Sequence, residues 1–291
     1  MRLTVFTPTY NRKELLKRTY QSLIGQTVKD FEWLIVDDGS DDGTDEEVKK
    51  WVAEGNVEIR YYHRPNGGKM RAHNTGVELA RGDLFVCLDS DDVFTTTAVE
   101  ELLGAYDGAV SDNYGRVHIG GVVAHKGASA NKLLGSKEFP DVRISTLYGL
   151  YLKGFAGETT LMYETALFRR YPFPEIEDEK YVPEDYIYDK IDSVCELAVL
   201  PRIVTVCELV SEGYTDSVQK LKAGNPKAFY LYYEQRAFIT PPGLKKLKYL
   251  GRYVIYARRT GRPVFRGSRL KFADIICGCI YGRFLLLLKR E

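Results

Sequence analysis

Asp89-Ser90-Asp91-Asp92 closes the apolar run Leu84-Phe85-Val86-Cys87-Leu88. Carboxylates spaced one residue apart at the end of a buried strand suit a divalent cation that carries a diphosphate. Hard cations such as Mg²⁺ and Mn²⁺ take oxygen ligands and keep substrate phosphates and waters in their shell. In open α/β sheets, ligands gather outside those same strand ends. The residue types also suit a plain turn followed by a helix N-cap. The run alone leaves both readings open.

Two other segments end in the same way. Val36-Asp37-Asp38-Gly39-Ser40 follows the strand-like Phe31-Glu32-Trp33-Leu34-Ile35, and Leu3-Thr4-Val5-Phe6 runs into Thr7-Pro8-Thr9-Tyr10-Asn11-Arg12. Both are β-rich stretches that stop in polar and turn residues ahead of a helix. Leu15, Leu16, Thr19, Tyr20, Leu23 and Ile24 recur at helical spacing and predict an amphipathic helix packed on a sheet. Residues 45–52 carry acids early and lysines late, as a helix dipole favours. Val57 to His63 reads as a strand, Asn66-Gly67-Gly68 as a turn, and Met70 to Ala80 as a helix ended by Gly82. Val117-His118-Ile119 and Gly121 to His125 read as two further strands. Repeated βα units predict an α/β fold with a mostly parallel sheet and helices on both faces.

TPTYNR, VDDGSDDGT and LDSDD, in this order and at these intervals, resemble the nucleotide-binding half of the family 2 inverting glycosyltransferases, which have the GT-A fold. The resemblance covers about the first 105 residues. It implies a catalytic domain over 1–215, with a nucleotide-sugar half at 1–105 and an acceptor half at 106–215. A helical basic extension would follow at 216–291. On the same resemblance, Pro8 and Tyr10 would flank the base, and Asp38 would accept the uracil N3–H, a task for a group that only accepts. Asp37 would bond the following turn. Lys69 and Arg71 lie where the family carries basic residues near the nucleotide. Asp89 would contact the ribose or a metal-bound water, Ser90 the nucleotide-sugar, and Asp91 would ligate Mn²⁺ or Mg²⁺. Asp92 is either a third member of this set or the cap of a helix that begins near Thr95-Thr96-Thr97. His63, His73, His118 and His125 have no metal-ligand spacing.

The resemblance also implies a base in an acidic pair about ninety residues beyond the metal motif, a position held by Glu184-Asp185. Pro183 followed by acids is a good helix opening, with Ile187, Ile191 and Val194 as its buried stripe. Asp185 is the favoured base and Glu184 would orient the substrate or the base, with Glu177, Asp178 and Glu179 close enough in sequence to compete. The implied reaction moves a sugar from a nucleotide-sugar, UDP-linked by expectation, to a hydroxyl of a glycan or lipid-linked glycan in surface polysaccharide biosynthesis. Two rivals are a non-catalytic glycan- or membrane-binding module on the same fold and a sugar-phosphate nucleotidyltransferase. The second would need a Gly-rich phosphate loop, and Thr7 to Arg12 has no glycine.

A chain of 291 residues can bury a substantial core. The spacing of its five cysteines suggests neither a disulfide framework nor a zinc motif, and the opening residues do not read as a signal peptide, so none is expected. A cytoplasmic setting is expected. The net charge of +1 conceals a division: from Gly243 onward 13 Lys/Arg face only Asp274 and Glu291, an excess of 11. The remaining 28 Lys/Arg face 38 Asp/Glu, a deficit of 10. Phe272 to Leu288 is 17 residues long and interrupted by Asp274 and Arg283, too short and polar for a span. An in-plane helix, basic on one face and apolar on the other, is expected to lie on an anionic membrane surface. The alternative is packing onto the catalytic domain with the charges solvated. No nucleic-acid partner is expected, because no recognition motif accompanies the basic character.

Overall fold

The computed structural model describes residues 1–113, 115–207 and 218–287. Two compact units emerge, one of Met1–Phe173 with Ile187–Ser211, the other of Pro174–Tyr186 with Glu212–Glu291. Thirteen residues ascribed above to the acceptor half, Pro174–Tyr186, therefore cluster with the helical segment. The expected boundary at 215/216 lies outside the described residues, as do Leu288, Lys289, Arg290 and Glu291.

The first unit begins with β1 (Leu3–Thr9), α1 (Lys13–Ile24), β2 (Phe31–Asp37), α2 (Thr44–Glu54), β3 (Glu58–His63), α3 (Lys69–Leu79) and β4 (Leu84–Cys87). β5 (Asp92–Phe94), α4 (Ala98–Asn113), β6 (Ile119–Ser129), β7 (Lys132–Leu133), β8 (Ile144–Ser145), α5 (Leu147–Leu152), β9 (Thr159–Glu164) and α6 (Thr165–Arg170) follow. α7 (Asp185–Ile191) and β10 (Glu196–Cys207) complete the order before the last helices. The strands form one sheet in the order β3-β2-β1-β4-β9-β6-β10-β5, with β7 beside β6 and β8 beside β10. The expected parallel pairing holds from β3 through β4 and between β6 and β10. β9 runs antiparallel between β4 and β6, and β5 antiparallel to β10.

Helices cover both faces. Leu3 and Val5 of β1 share a core cluster with Leu16, Tyr20 and Leu23 of α1, Val48 and Trp51 of α2, and Leu102 of α4. Alternation along the strand turns Phe6 to the other face, where it stacks on Phe85 at 5.2 Å and meets His73 of α3 edge-on at 5.6 Å. α3 approaches this closely because Gly76 has no side chain: a Cβ there would lie 2.4 Å from the Phe6 ring.

Three local expectations change. α3 ends at Leu79 with Ala80 already extended (φ −59°, ψ 135°), so Gly82 is not its cap. Gly82 is required by space, since a Cβ would lie 2.5 Å from the Thr4 nitrogen, and its N–H donates to Thr4 Oγ1 at 2.9 Å. The two strands expected around residues 117–125 are one, β6, which starts at Ile119. Asp92 does not cap α4; it lies in β5, and the α4 entry is made by the Thr95 carbonyl, which accepts the Ala98 N–H at 3.0 Å.

The second unit contains α8 (Val218–Gly224), α9 (Pro226–Ile239), α10 (Leu244–Arg259) and α11 (Phe272–Leu287). Its core is aromatic, with Phe229, Tyr230, Tyr233, Tyr253 and Tyr256 buried together. Pro174–Tyr186 is tied to α9 by two polar side chains. Glu179 accepts the N–H groups of Lys227 and Ala228 at 2.7 and 2.8 Å, which satisfies the first turn of α9. Asn225 Oδ1 accepts those of Lys180 and Tyr181, both at 3.0 Å. Among the described residues, no helix is long and apolar enough to cross a membrane.

Candidate functional site

Parallel pairing brings three polar strand exits to one edge of the sheet. Thr9 at the end of β1 is in register with Asp37 at the end of β2, and Phe6 with Cys87 at the end of β4. The ladder continues past the strands: Leu88 N donates to the Phe6 carbonyl at 2.8 Å and Asp38 N to the Thr9 carbonyl at 2.9 Å. The first and second loops are laced together, with Asn11 N donating to Ser40 Oγ and Asp41 N to Asn11 Oδ1, both at 2.9 Å. Pro8 is buried in β1, whereas Tyr10 stands half exposed at the rim.

The third exit is a network of three acids and three cations. Lys69 Nζ lies 2.8 Å from Asp89 Oδ1, Arg12 Nη1 donates to Asp91 Oδ2 at 2.9 Å, and Lys126 Nζ donates to Asp92 Oδ2 at 2.6 Å. Lys126 also stands 4.0 Å from Asp89 Oδ2, and Arg12 is 3.5 Å from Ser90 Oγ. Burial by itself opposes the Asp89 charge, but the Lys69 and Lys126 ammoniums outweigh it and hold that carboxyl well below the usual range. Burial likewise opposes the Lys126 charge, and Asp92 and Asp89 overcome it, so Lys126 stays protonated. The cluster is close to neutral. It can accept a neutral pair, a divalent cation with a diphosphate, with little electrostatic conflict.

Asp38 is 4% exposed, and its carboxylate holds a turn. It accepts the Gly67 N–H at 3.0 Å and the Gly68 N–H at 2.6 Å, with Arg64 Nε at 3.4 Å. Arg71 secures the same turn by donating to the Gly67 carbonyl at 2.9 Å. Gly39 has φ 95°, a left-handed conformation that favours glycine, and Asn66 packs where its Cβ would be. Asp37 accepts the Ser40 N–H at 2.8 Å and the Tyr61 hydroxyl at 2.5 Å, which matches its expected turn-bonding role.

Glu184 and Asp185 belong to the second unit. Asp185 opens α7 with its side chain 40% exposed, 2.6 Å from Arg236 Nη2 and 3.5 Å from the Tyr232 hydroxyl. Both acids line a cleft of about 410 Å³ with Tyr181, Tyr232, Tyr249 and Arg252. Glu179, close by in sequence, is committed to the α9 N-terminus. Arg12, Lys126 and Arg236 carried no expected role. One signal was present for Lys126, a lone lysine within an apolar strand; Arg12 closes a motif already singled out; Arg236 had none.

No group of three or more His, Cys, Asp or Glu side chains able to hold a metal ion occurs among the described residues. The donor set nevertheless fits Mg²⁺ or Mn²⁺. These ions are commonly held by one or two carboxylates together with substrate phosphates, and Asp91 is an oxygen donor with 20% of its side chain exposed at a strand exit. Histidine offers no alternative. His73 is enclosed by Phe6, Phe85, Phe168 and Phe173, and burial pushes it down to about 3.

A parallel βα half whose acidic exits share one edge, continued by a mixed sheet, is the architecture of the GT-A glycosyltransferases. Solved structures with this fold include S. aureus TarS 1-349 in complex with UDP-GlcNAc, with a TM-score of 0.64 and 18% identity over 96% of this chain and 79% of that one. Another is the mannosyltransferase PcManGT of Pyrobaculum calidifontis in complex with GDP-Man and Mn²⁺, with a TM-score of 0.56 and 16% identity over 98% and 80%. Residues 4–176 match the family Glycosyl transferase family 2, and the chain belongs to it. Relatives include an uncharacterized glycosyltransferase of Rickettsia felis, 37% identical over 99 residues, which are 34% of this chain and 16% of that protein. Chondroitin synthase of Pasteurella multocida is 38% identical over 98 residues, 34% of this chain and 10% of that protein. The chain thus spans only a small part of the length of these relatives.

Proposed function

We propose that the chain is an inverting glycosyltransferase that moves a sugar from a UDP-linked donor to a hydroxyl of a glycan or lipid-linked glycan. The reading includes assembly of a surface polysaccharide on the cytoplasmic side of a membrane. The observation that carries it is the neutral network at the β4 exit, Asp89 and Asp91 with Lys69 and Arg12, inside the segment that matches the family. Structures related in fold are complexes with UDP-GlcNAc or with GDP-Man and Mn²⁺, which supports a nucleotide-sugar donor and a divalent metal.

In this reading the acceptor oxygen forms a bond to the anomeric carbon as the bond to the diphosphate oxygen breaks. Asp185 takes the hydroxyl proton, and Arg236 fixes its orientation. Asp91 would hold Mn²⁺ or Mg²⁺, which when bound supplies a counter-charge for the departing diphosphate. Lys69 and Arg12 add positive charge at the same strand exit. Tyr10 would stack on the base, with Pro8 beside it. Asp38 would orient the uracil, directly or through the Gly67-Gly68 turn that it holds together with Arg71. Asp89 and Ser90 would meet the ribose side of the donor. Tyrosines beside Glu184 and Asp185 offer flat apolar faces for sugar rings.

Release of nucleoside diphosphate should be measured across UDP-Glc, UDP-GlcNAc, UDP-Gal and GDP-Man with Mn²⁺, Mg²⁺ or EDTA. Metal-dependent release of UDP, lost in Asp91→Asn, is the expected result. Release from GDP-Man alone would overturn the donor class. Tight UDP binding with no release from any donor, with glycan acceptors present, would identify a binding module instead.

A further inference from the structure

α11 is apolar around its circumference apart from Asp274 and Arg283, and among the described residues one face of it is packed. Its inner face presents Ile275, Gly278, Gly282 and Leu285 to α10, where the absent side chains let the helices close: a Cβ on Gly278 would lie 2.8 Å from the Leu250 carbonyl oxygen. At about 100° per residue, Phe272, Ile276, Ile280, Phe284 and Leu287 fall within about 120° of one another on the opposite side. They are 68, 41, 69, 50 and 83% exposed. Phe265, in the preceding loop and 49% exposed, lies 5.2 Å from Phe272 between ring centroids and lengthens the strip. An exposed apolar strip of this kind on a helix, interrupted only by Arg283, marks an interaction surface.

We infer that this strip inserts into the interfacial region of an anionic lipid bilayer. Charge decides the occupant. Arg266 and Lys271 adjoin Phe265 and Phe272 in the chain and Arg283 lies within the strip, all three exposed; Arg269 is exposed too, with its backbone N–H 3.4 Å from Glu234 of α9. The one acid of α11, Asp274, is taken up by Lys246 at 3.1 Å. A second copy of the same face would set like charges against each other, whereas anionic headgroups complement them at about 1 kcal/mol per cation. Arg283 projects from the apolar side rather than from a separate basic face, which corrects the division expected from sequence. Its long stem can lie along Ile280 and Phe284 while the guanidinium reaches the headgroups. The described residues of α11 extend about 24 Å, and with the inner face held on α10 the exposed strip would insert along its length in the interface plane. Lipid binding by this face asks nothing of the donor site.

Vesicle co-sedimentation of the full chain tests this, using phosphatidylcholine vesicles with and without about 30% phosphatidylglycerol, a composition near physiological anionic membranes. The parent should bind the anionic vesicles and keep part of that binding in about 1 M salt, where the Debye length falls to about 3 Å. Ile280→Asp with Phe284→Asp, both at exposed positions, should lower the partition coefficient about tenfold or more and abolish the salt-resistant part. Arg266→Glu with Arg269→Glu and Lys271→Glu should remove the preference for the anionic lipid. Thermal melts and UDP binding unchanged from the parent would show that the variants are folded. Equal vesicle binding by the parent and the Ile280/Phe284 variant would overturn the inference. So would a parent that ignores vesicles but sediments as a dimer that this variant dissociates, which would make a second copy the occupant.

Discussion

Arg12 donates to Asp91 Oδ2 at 2.9 Å, joining a loop after the first strand to a residue 79 positions later. The carboxylate proposed to hold a metal is thus already neutralised by a cation. In the proposed reading a divalent ion at Asp91 would share that carboxylate with Arg12, so the two cations would weaken each other's hold, and Arg12 could turn to a diphosphate.

That competition is measurable by calorimetry. Asp91→Asn should lose the enhancement of UDP binding by Mn²⁺, by about tenfold or more. Arg12→Gln should bind Mn²⁺ alone about fivefold more tightly, since a part-exposed pair is worth up to about 1 kcal/mol. The same variant should bind UDP less well. Unchanged Mn²⁺ affinity in both variants would remove Asp91 from the metal site.

Asp38→Ala leaves the N–H groups of Gly67 and Gly68 without the carboxylate that holds them. A buried donor without a partner costs about 1–3 kcal/mol. The denaturant midpoint should fall accordingly, while Asp38→Asn, which keeps one acceptor oxygen, should fall less. If Asp38 also reads uracil, Asp38→Asn should weaken UDP more than inorganic pyrophosphate. Equal weakening of both would assign Asp38 to the turn alone.

Asp185→Asn should leave UDP binding intact and reduce transfer by about 10²–10⁴-fold, the usual contribution of a general base. Glu184→Gln is the comparison. Loss confined to Glu184→Gln would move the base by one position, and full transfer in both variants would exclude the pair. Arg236→Lys should lower kcat more than it raises KM, because a lysine cannot reproduce the guanidinium geometry at Asp185.

His73 should make the core sensitive to acid. Burial, aided by the nearby Lys69 charge, pushes the imidazole down to about 3 from an ordinary value near 6.5. Below pH 6.5 the unfolded chain binds a proton that the folded chain refuses, so stability falls as pH drops and levels off above 6.5. Between pH 7 and pH 4.5 the loss from this group should be about 3 kcal/mol. His73→Phe, among four phenylalanines, should flatten that limb of a denaturation series across pH. An unchanged slope would show that the imidazole is protonated in the folded protein.

The βα order, the three polar strand exits and the helical character of the last segment were legible in the sequence. Each is written locally, in apolar runs of strand length, helical periodicity and turn residues such as Gly39 and the Gly67-Gly68 pair. The partners of the site residues were not legible. Lys126 reaches Asp92 only because β10 pairs with both β5 and β6, and strand order across a crossover has no local signature. Asp38 looked free for a ligand until the turn after β3 folded back onto it. Glu179 looked like a rival base until its two oxygens met the start of α9. The apolar character of α11 could be read from its composition, but the glycines that pack and the side chains left outward were chosen by the fit to Gly251 of α10. Residue types and spacing determined the elements and where their polar ends fall. Long-range packing decided which charges meet, because it sets the neighbours of a side chain that lie tens of residues away.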